Sequence, residues 1–217
     1  MEVKTQNMNR KFISNSNYVL RKLLNSEDCL EILKDFIESI LDLSIKEIQL
    51  NPYLIEKNKY LPKEENFGIA DVRIKTKENE EINIGIQFID GIYIQTKMLM
   101  YYAQIHLNQL EYGNKREFAK TITINILDFK YFSSQEYKKI IRIKSNEIDI
   151  KLEELEIVVI ELPKFNIKNE ENITKKEEWI SYLKGCNNKT LEKIKNNNNN
   201  IKILDELAEK YWIEEKM

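Results

Sequence analysis

The sequence predicts an α/β protein in which a mixed central sheet is flanked by helices and followed by C-terminal helices. Two neighbouring segments carry an apolar residue at every second position, which is typical of paired strands. Amphipathic helical segments lie before and after this pair, and two apolar runs of strand length follow. One mixed sheet with helices packed against it accommodates this order of elements.

The composition limits the class of protein. With 217 residues, 42% of them hydrophobic, the chain can form a well-packed core. Its 34 basic and 36 acidic residues nearly cancel, so the net charge is no evidence for nucleic-acid binding. Cys29 and Cys186 lack the spacing of a zinc site or a disulfide framework, which fits a reducing cytoplasm. No apolar stretch approaches the roughly 18 residues of a membrane span, so we expect a cytoplasmic protein without membrane contact.

The first helix is predicted at residues 29–43, where large aliphatic side chains recur at three- and four-residue spacing. Ser26 precedes it as a candidate N-cap, and Glu27 and Asp28 suit the positive end of the helix dipole. A hairpin is predicted next, at residues 69–75 and 81–88. The period of two places the side chains of residues 83, 85 and 87 on one face of its second strand.

The second half of the chain alternates between helices and strands. Residues 94–112 predict a long helix that ends at Gly113, and residues 121–129 and 155–162 predict largely buried strands.

The C-terminal region continues with a predicted helix around residues 179–183. The asparagine run at residues 196–200 predicts a surface loop or linker, and residues 201–213 predict a last amphipathic helix. We therefore expect a domain at residues 1–185, then an Asn-rich linker and C-terminal helix at residues 186–217.

The predicted hairpin carries residues suited to metal-dependent phosphodiester hydrolysis. Such chemistry needs carboxylates to hold Mg²⁺, which orients water and neutralises phosphate charge. A hairpin can offer an Asp on one strand, an acid on the next, and a Lys or Gln two positions later on the same face. Asp71 takes the first place and Gln87 the last, whereas Gly85 stands where the second acid is expected.

Two short motifs on this hairpin resemble those of the recombination-promoting nucleases, a transposase family of PD-(D/E)XK fold. Residues 71–73 read DVR and residues 83–87 read NIGIQ, where the family has N-I-E-x-Q. Further landmarks in matching order are Asn51-Pro52, Tyr102, Gln109-Leu110, Gly113, the ELPKF stretch at residues 161–165, and Trp179. The resemblance runs from about residue 35 to about residue 183 and implies a PD-(D/E)XK nuclease-like fold.

The resemblance also implies a site and its departures. Asp71 would bind Mg²⁺, Gln87 would stand where related enzymes carry Lys, and Gly85 marks a missing Glu that weakens metal binding. Glu81 shares the strand face but lies about 13 Å along the strand from position 85, so it is a poor substitute for the missing Glu. Glu38 could supply a second carboxylate if the first helix crosses the sheet, although a solvated helix face explains it more simply.

Three basic residues, Arg73, Lys97 and Lys164, are expected to line a nucleic-acid cleft. Lys97 stands where the family commonly has Arg, and it loses the bidentate geometry of a guanidinium. Asp71 and Gln87 also have simpler explanations: Asp71 alone could be a surface acid near the turn, and a polar residue such as Gln87 on a solvated strand face needs no function.

The leading hypothesis is a nuclease-like protein whose DNA cleavage is lost or reduced. It would still bind nucleic acid, DNA rather than RNA, or a nucleoprotein or protein partner. One alternative is an active Mg²⁺-dependent endonuclease that uses Asp71, Glu38 and Gln87. Another is an anti-CRISPR-like inhibitor of a host nuclease, motivated by a degraded site on an otherwise well-kept scaffold and by an Ile-, Lys-, Asn- and Glu-rich composition that suggests an AT-rich bacterial genome or mobile element. Gly85 fits either a naturally inactivated relative or a deliberate removal of the carboxylate. Gly85→Glu is expected to recover cleavage if the rest of the site is intact.

Overall fold

The computed structural model describes most of the chain, namely residues 24, 26–50, 70–89, 93–109, 119–144, 151–167, 169 and 171–214. The landmarks Asn51-Pro52, Leu110 and Gly113 lie outside these residues. Of the helices within the described ranges, none is both long and apolar enough to cross a bilayer.

Six strands and five helices form the described part of the chain. The strands are β1 (Ile45–Leu50), β2 (Ala70–Thr76), β3 (Glu81–Ile89), β4 (Lys120–Leu127), β5 (Lys138–Lys144) and β6 (Lys151–Glu161). The helices are α1 (Leu30–Leu41), α2 (Ile94–Asn108), α3 (Lys175–Lys184), α4 (Asn188–Asn197) and α5 (Asn199–Glu214). The α/β class and the mixed sheet that the sequence predicts are confirmed.

All six strands belong to one sheet in the order β1-β2-β3-β4-β6-β5. The strands β1, β2 and β3 are antiparallel neighbours, and β2 and β3 form the predicted hairpin. The strand β4 is parallel to both β3 and β6, whereas β5 returns antiparallel to β6. A parallel connection needs a crossover, and α2 lies in the crossover between β3 and β4.

The chain divides into two compact units. The sheet unit, Ser44–Glu161, contains the six strands and α2. The helical unit consists of Met1–Leu43 and Leu162–Met217, and it contains α1 and α3 to α5. The boundary predicted between residues 185 and 186 stays a prediction.

Helix α2 covers one face of the sheet within the sheet unit. Its inner residues Met98 and Tyr102 belong to a buried cluster with Leu127, Ile157 and Val159 from β4 and β6. The opposite face of β2, β3 and β4 is lined by buried aliphatic side chains: Val72, Ile74, Ile82, Ile84, Ile86, Ile122, Ile124 and Ile126. The apolar residues at every second position therefore fill one face of these strands. Helix α2 covers the other face, which carries the alternate residues.

The helical unit is built around the apolar stripe of α1. Phe36 meets Trp179 of α3 edge to face, with 5.4 Å between the ring centroids. The helix begins one residue later and ends two residues earlier than predicted, and Ser26 caps the short 3-10 turn Glu27–Cys29 before it. Its left-handed C-cap at Asp42 (φ 56°) ends the helix.

The asparagine run is not the surface loop that the sequence predicts. It spans the end of α4 and the start of α5, and Asn198 between them is buried. The Asn198 Oδ1 accepts hydrogen bonds from the backbone N–H groups of Asn200 (3.1 Å) and Ile201 (3.2 Å). The side chain thereby supplies acceptors that the first turn of a helix otherwise lacks.

Candidate functional site

The strand register brings the predicted site residues of the hairpin together. Asp71 of β2 lies directly opposite Gly85 of β3, so both point to the same face of the sheet. Gln87 lies two residues further along β3 and shares that face. The predicted placement of Asp71 and Gln87 on adjacent strands and on one face is confirmed. The covered face is the one against which α2 packs, because Gly85 lies beneath that helix.

The next strand extends this polar face. The parallel register places Thr123 of β4 beside Gly85 and Asn125 beside Gln87. Both side chains are fully buried. They were not predicted as site residues, although a signal exists in the sequence. Residues 121–127 read TITINIL, and the polar residues occupy every second position of an otherwise aliphatic strand.

Asp71 is buried without compensation. Only 4% of its surface is exposed, and neither carboxylate oxygen has a hydrogen-bond partner within the described part of the chain. Burial therefore raises the pKa of Asp71 well above its usual range. The Oε1 atom of Gln87 is likewise buried and lacks a partner among the described residues. Three oxygen acceptors thus face a covered site without a described donor.

The amide group of Gln87 is held from the side of β4. Its Nε2 donates a hydrogen bond to Asn125 Oδ1 at 2.5 Å. The Nδ2 of Asn125 donates in turn to the backbone oxygen of Val158 (3.1 Å) and to Thr123, at Oγ1 (3.1 Å) and at the backbone oxygen (3.3 Å).

The space above Gly85 is filled by two side chains of α2. A Cβ atom added to Gly85 would lie 1.8 Å from Ile105 Cδ1 and 2.9 Å from the ring of Tyr101. The Tyr101 hydroxyl, which lies 3.2 Å from Ala70 O and 3.1 Å from Ile86 O, donates to these carbonyl groups and fixes the ring over β2 and β3. A side chain at position 85 therefore requires α2 or its side chains to move.

The predicted basic residues lie in different surroundings. Arg73 shares the face of Asp71, but its guanidinium donates to the carboxylate of Glu81. Lys97 is half-buried on α2, whereas Lys164 belongs to the helical unit. That these three residues line one cleft stays a prediction.

Glu38 lies on α1 in the helical unit. The pKa of Lys175 is raised first by the hydrogen bond to Asp35, and Glu38 adds a further negative charge nearby. That Glu38 reaches the site of Asp71 stays a prediction.

The available oxygen ligands suit a hard cation, but they carry little negative charge. Carboxylate and amide oxygens are the ligands that Mg²⁺ prefers, and the three unpartnered oxygens of Asp71 and Gln87 are of this kind. Among the described residues, no group of three or more His, Cys, Asp or Glu side chains converges on one point. The donor set therefore fits Mg²⁺ in chemistry, with one carboxylate to neutralise its charge.

The protein is an α/β protein in which the antiparallel hairpin of β2 and β3 and the crossover helix α2 build a small oxygen-lined site within the sheet unit. A scan of protein-family models matches residues 15–217 to the PD-(D/E)XK nuclease family transposases. The chain therefore belongs to this family. Neither a search of curated proteins nor a search of solved structures finds a significant match.

Proposed function

We propose that this chain is a nuclease-fold protein of the transposase family whose metal-dependent DNA cleavage is lost or strongly reduced. Its remaining role would be to bind nucleic acid, DNA rather than RNA. One observation carries the proposal: opposite Asp71 stands Gly85, and Ile105 and Tyr101 occupy the space that a side chain there would need.

The metal-dependent chemistry that the site can support follows from the ligands that remain. When bound, Mg²⁺ would polarise a water molecule and neutralise charge on the phosphate. Asp71 and Gln87 are the residues that would hold the ion, and Gly85 contributes no ligand. The nearest acid on the same face of β3 is Glu81, whose carboxylate is engaged by Arg73. With one carboxylate, binding of the ion and positioning of the attacking water are both weakened.

The packing of α2 reduces the expected cleavage activity further than the absence of one metal ligand would. A Glu at position 85 would have to displace the Ile105 methyl group and the hydrogen-bonded Tyr101 ring. The buried position of Asp71 also disfavours its charged form, which is the form that binds a cation. Restoration of the carboxylate alone is therefore expected to recover little cleavage.

A cleavage assay with supercoiled plasmid in Mg²⁺ or Mn²⁺ tests the proposal. We expect the unmodified chain to cleave no faster than Asp71→Ala. The double variant Gly85→Glu/Ile105→Ala supplies the carboxylate and removes the closest of the two obstructing side chains, so it should gain metal-dependent cleavage that Asp71→Ala abolishes. Gly85→Glu alone should gain less, and Ile105→Ala alone is the control for the space without the carboxylate.

Two results would contradict parts of this proposal. Robust Mg²⁺-dependent cleavage by the unmodified chain, abolished by Asp71→Ala, would identify an active endonuclease. If no folded variant cleaves DNA and the unmodified chain binds no DNA at low salt, these results would instead favour a protein-binding role, such as inhibition of a host nuclease.

A further inference from the structure

The orientation of the Gln87 amide is imposed by the backbone of two neighbouring strands. Asn125 Nδ2 is directed at two carbonyl oxygens, those of Thr123 and Val158. A backbone carbonyl accepts hydrogen bonds and cannot donate one, so the NH₂ end of the Asn125 amide must face them. The oxygen end, Oδ1, is left facing Gln87.

The same reasoning fixes Gln87 in the next step. Asn125 Oδ1 is an acceptor, and the group that meets it at 2.5 Å must be a donor, which is Gln87 Nε2. The planar amide then turns Gln87 Oε1 away from β4. Since β3 lies between β4 and β2, the strand that bears Asp71 lies on the other side of Gln87.

Gln87 thereby presents an acceptor, as Asp71 does. Gln87 Oε1 and both oxygens of Asp71 are buried and unpartnered among the residues that the structure describes. A lysine at position 87 would bring a positive charge and three N–H donors to the same place. The glutamine, held in this orientation, brings an oxygen.

We propose that Asn125 is a positioning residue that makes Gln87 present its carbonyl oxygen, so that Gln87 acts as a cation ligand beside Asp71. This inference rests on the proposed function for the location of the site, and it concerns metal binding and not cleavage. Outer hydrogen-bond partners of metal ligands typically contribute tenfold to a hundredfold in affinity.

The test is a Mn²⁺ titration of the full chain, with free Mn²⁺ measured by electron paramagnetic resonance. We expect one saturable site that Asp71→Ala removes. Asn125→Leu, similar in size but without polar atoms, should weaken Mn²⁺ binding about tenfold.

The Gln87→Glu background separates orientation from general structural damage. A carboxylate has two equivalent oxygens, so it presents an oxygen to the site whichever way it is held. Asn125→Leu should therefore not weaken Mn²⁺ binding in this background. Circular dichroism and thermal unfolding confirm that each variant is folded.

Three results would overturn the inference: no saturable Mn²⁺ site in the unmodified chain, no effect of Asn125→Leu, or the same weakening by Asn125→Leu with and without Gln87→Glu. The readout is independent of cleavage. If the unmodified chain cleaves DNA, the proposed function fails while the role of Asn125 stands or falls with the titration alone.

Discussion

Asp71 combines burial with the absence of a described hydrogen-bond partner, so its ionised form is unfavourable in the folded protein. Its folded pKa lies above the unfolded value of 3.8. Asp71 therefore does not lower the free energy of unfolding below that pH, and it lowers this free energy increasingly as the pH rises towards the folded pKa. Asp71→Asn removes the ionisable group and should raise the free energy of unfolding by about 1 kcal/mol or more at neutral pH.

Urea unfolding at about pH 4 and about pH 8 measures this difference. The gain from Asp71→Asn should be larger at the higher pH, whereas Glu47→Gln, on an exposed carboxylate of β1, should change little at either. An equal or smaller gain at the higher pH would show that Asp71 is compensated in the folded protein.

The asparagine run offers a matched comparison between neighbours. Asn198 Nδ2 lies 3.2 Å from Asp35 Oδ2 and 3.4 Å from Glu178 Oε2, and its Oδ1 caps α5. Asn198→Ala removes the cap and one donor to two buried carboxylates, so we expect a loss of about 2–3 kcal/mol. Asn196→Ala, two residues away on an exposed position, should change stability by less than about 0.5 kcal/mol in the same urea titration. Similar losses for both variants would argue against a specific role for Asn198.

At the scale of elements, the contact between α2 and β3 depends on the absence of a side chain at position 85. Gly85→Ala places a methyl group against Ile105 and Tyr101, and we expect a loss of about 1–3 kcal/mol from overpacking. Ile105→Val removes the Cδ1 atom that lies closest. The double variant should therefore be more stable than the sum of the single losses predicts, measured as a coupling free energy in a double-mutant cycle. Strict additivity would indicate that α2 moves as a whole.

The elements that the sequence predicted are those with an unbroken local period. The hairpin alternates cleanly, and α1 has a continuous apolar stripe, so both were found within a few residues. The strands β1 and β5 were missed because each contains a register shift, at Ile45/Glu47 and at Ile141/Ile143, which interrupts the alternation. Helix α4 reads NKTLEKIKNN, and Ile194 is its only fully buried apolar residue, which leaves almost no stripe to detect.

The site could be predicted only where local geometry determines it. The shared face of Asp71 and Gln87 follows from the period of two and a short turn. The alternation in β4 marks Asn125 as a residue of a polar face, but its place beside Gln87 depends on the parallel crossover, and the place of Ile105 depends on helix packing. The gap at Gly85 was visible in the sequence, but the side chains that fill it were not.

At the scale of the whole molecule, the predicted end of the domain at residue 185 can be tested by truncation. In the helical unit α5 packs on α1, and its residues Ile201, Leu204 and Ala208 are buried. Deletion of residues 186–217 removes these side chains, so we expect a lower melting temperature and faster proteolysis of the remaining chain. A truncated chain as stable as the full one would support an autonomous domain at residues 1–185.

The proposed nucleic-acid binding would have to use a local basic surface, because the whole molecule carries a net charge of −2. The guanidinium of Arg73 is engaged by Glu81, so Glu81→Gln should release it and strengthen binding to DNA. Lys97→Gln should weaken binding and reduce the slope of log affinity against log salt by about 1. Lys46→Gln, on the exposed side of β1, is the matched loss of one positive charge elsewhere and should leave the slope unchanged.

Fluorescence anisotropy with labelled single- and double-stranded DNA and with RNA, over a series of salt concentrations, measures these effects. We expect affinity to fall as salt rises, since phosphate contacts release counterions. DNA should be bound more tightly than RNA of the same length. If Glu81→Gln and Lys97→Gln leave DNA binding unchanged, the contact surface lies away from this face of the sheet. If the unmodified chain binds no nucleic acid even at low salt, the scaffold serves a protein partner.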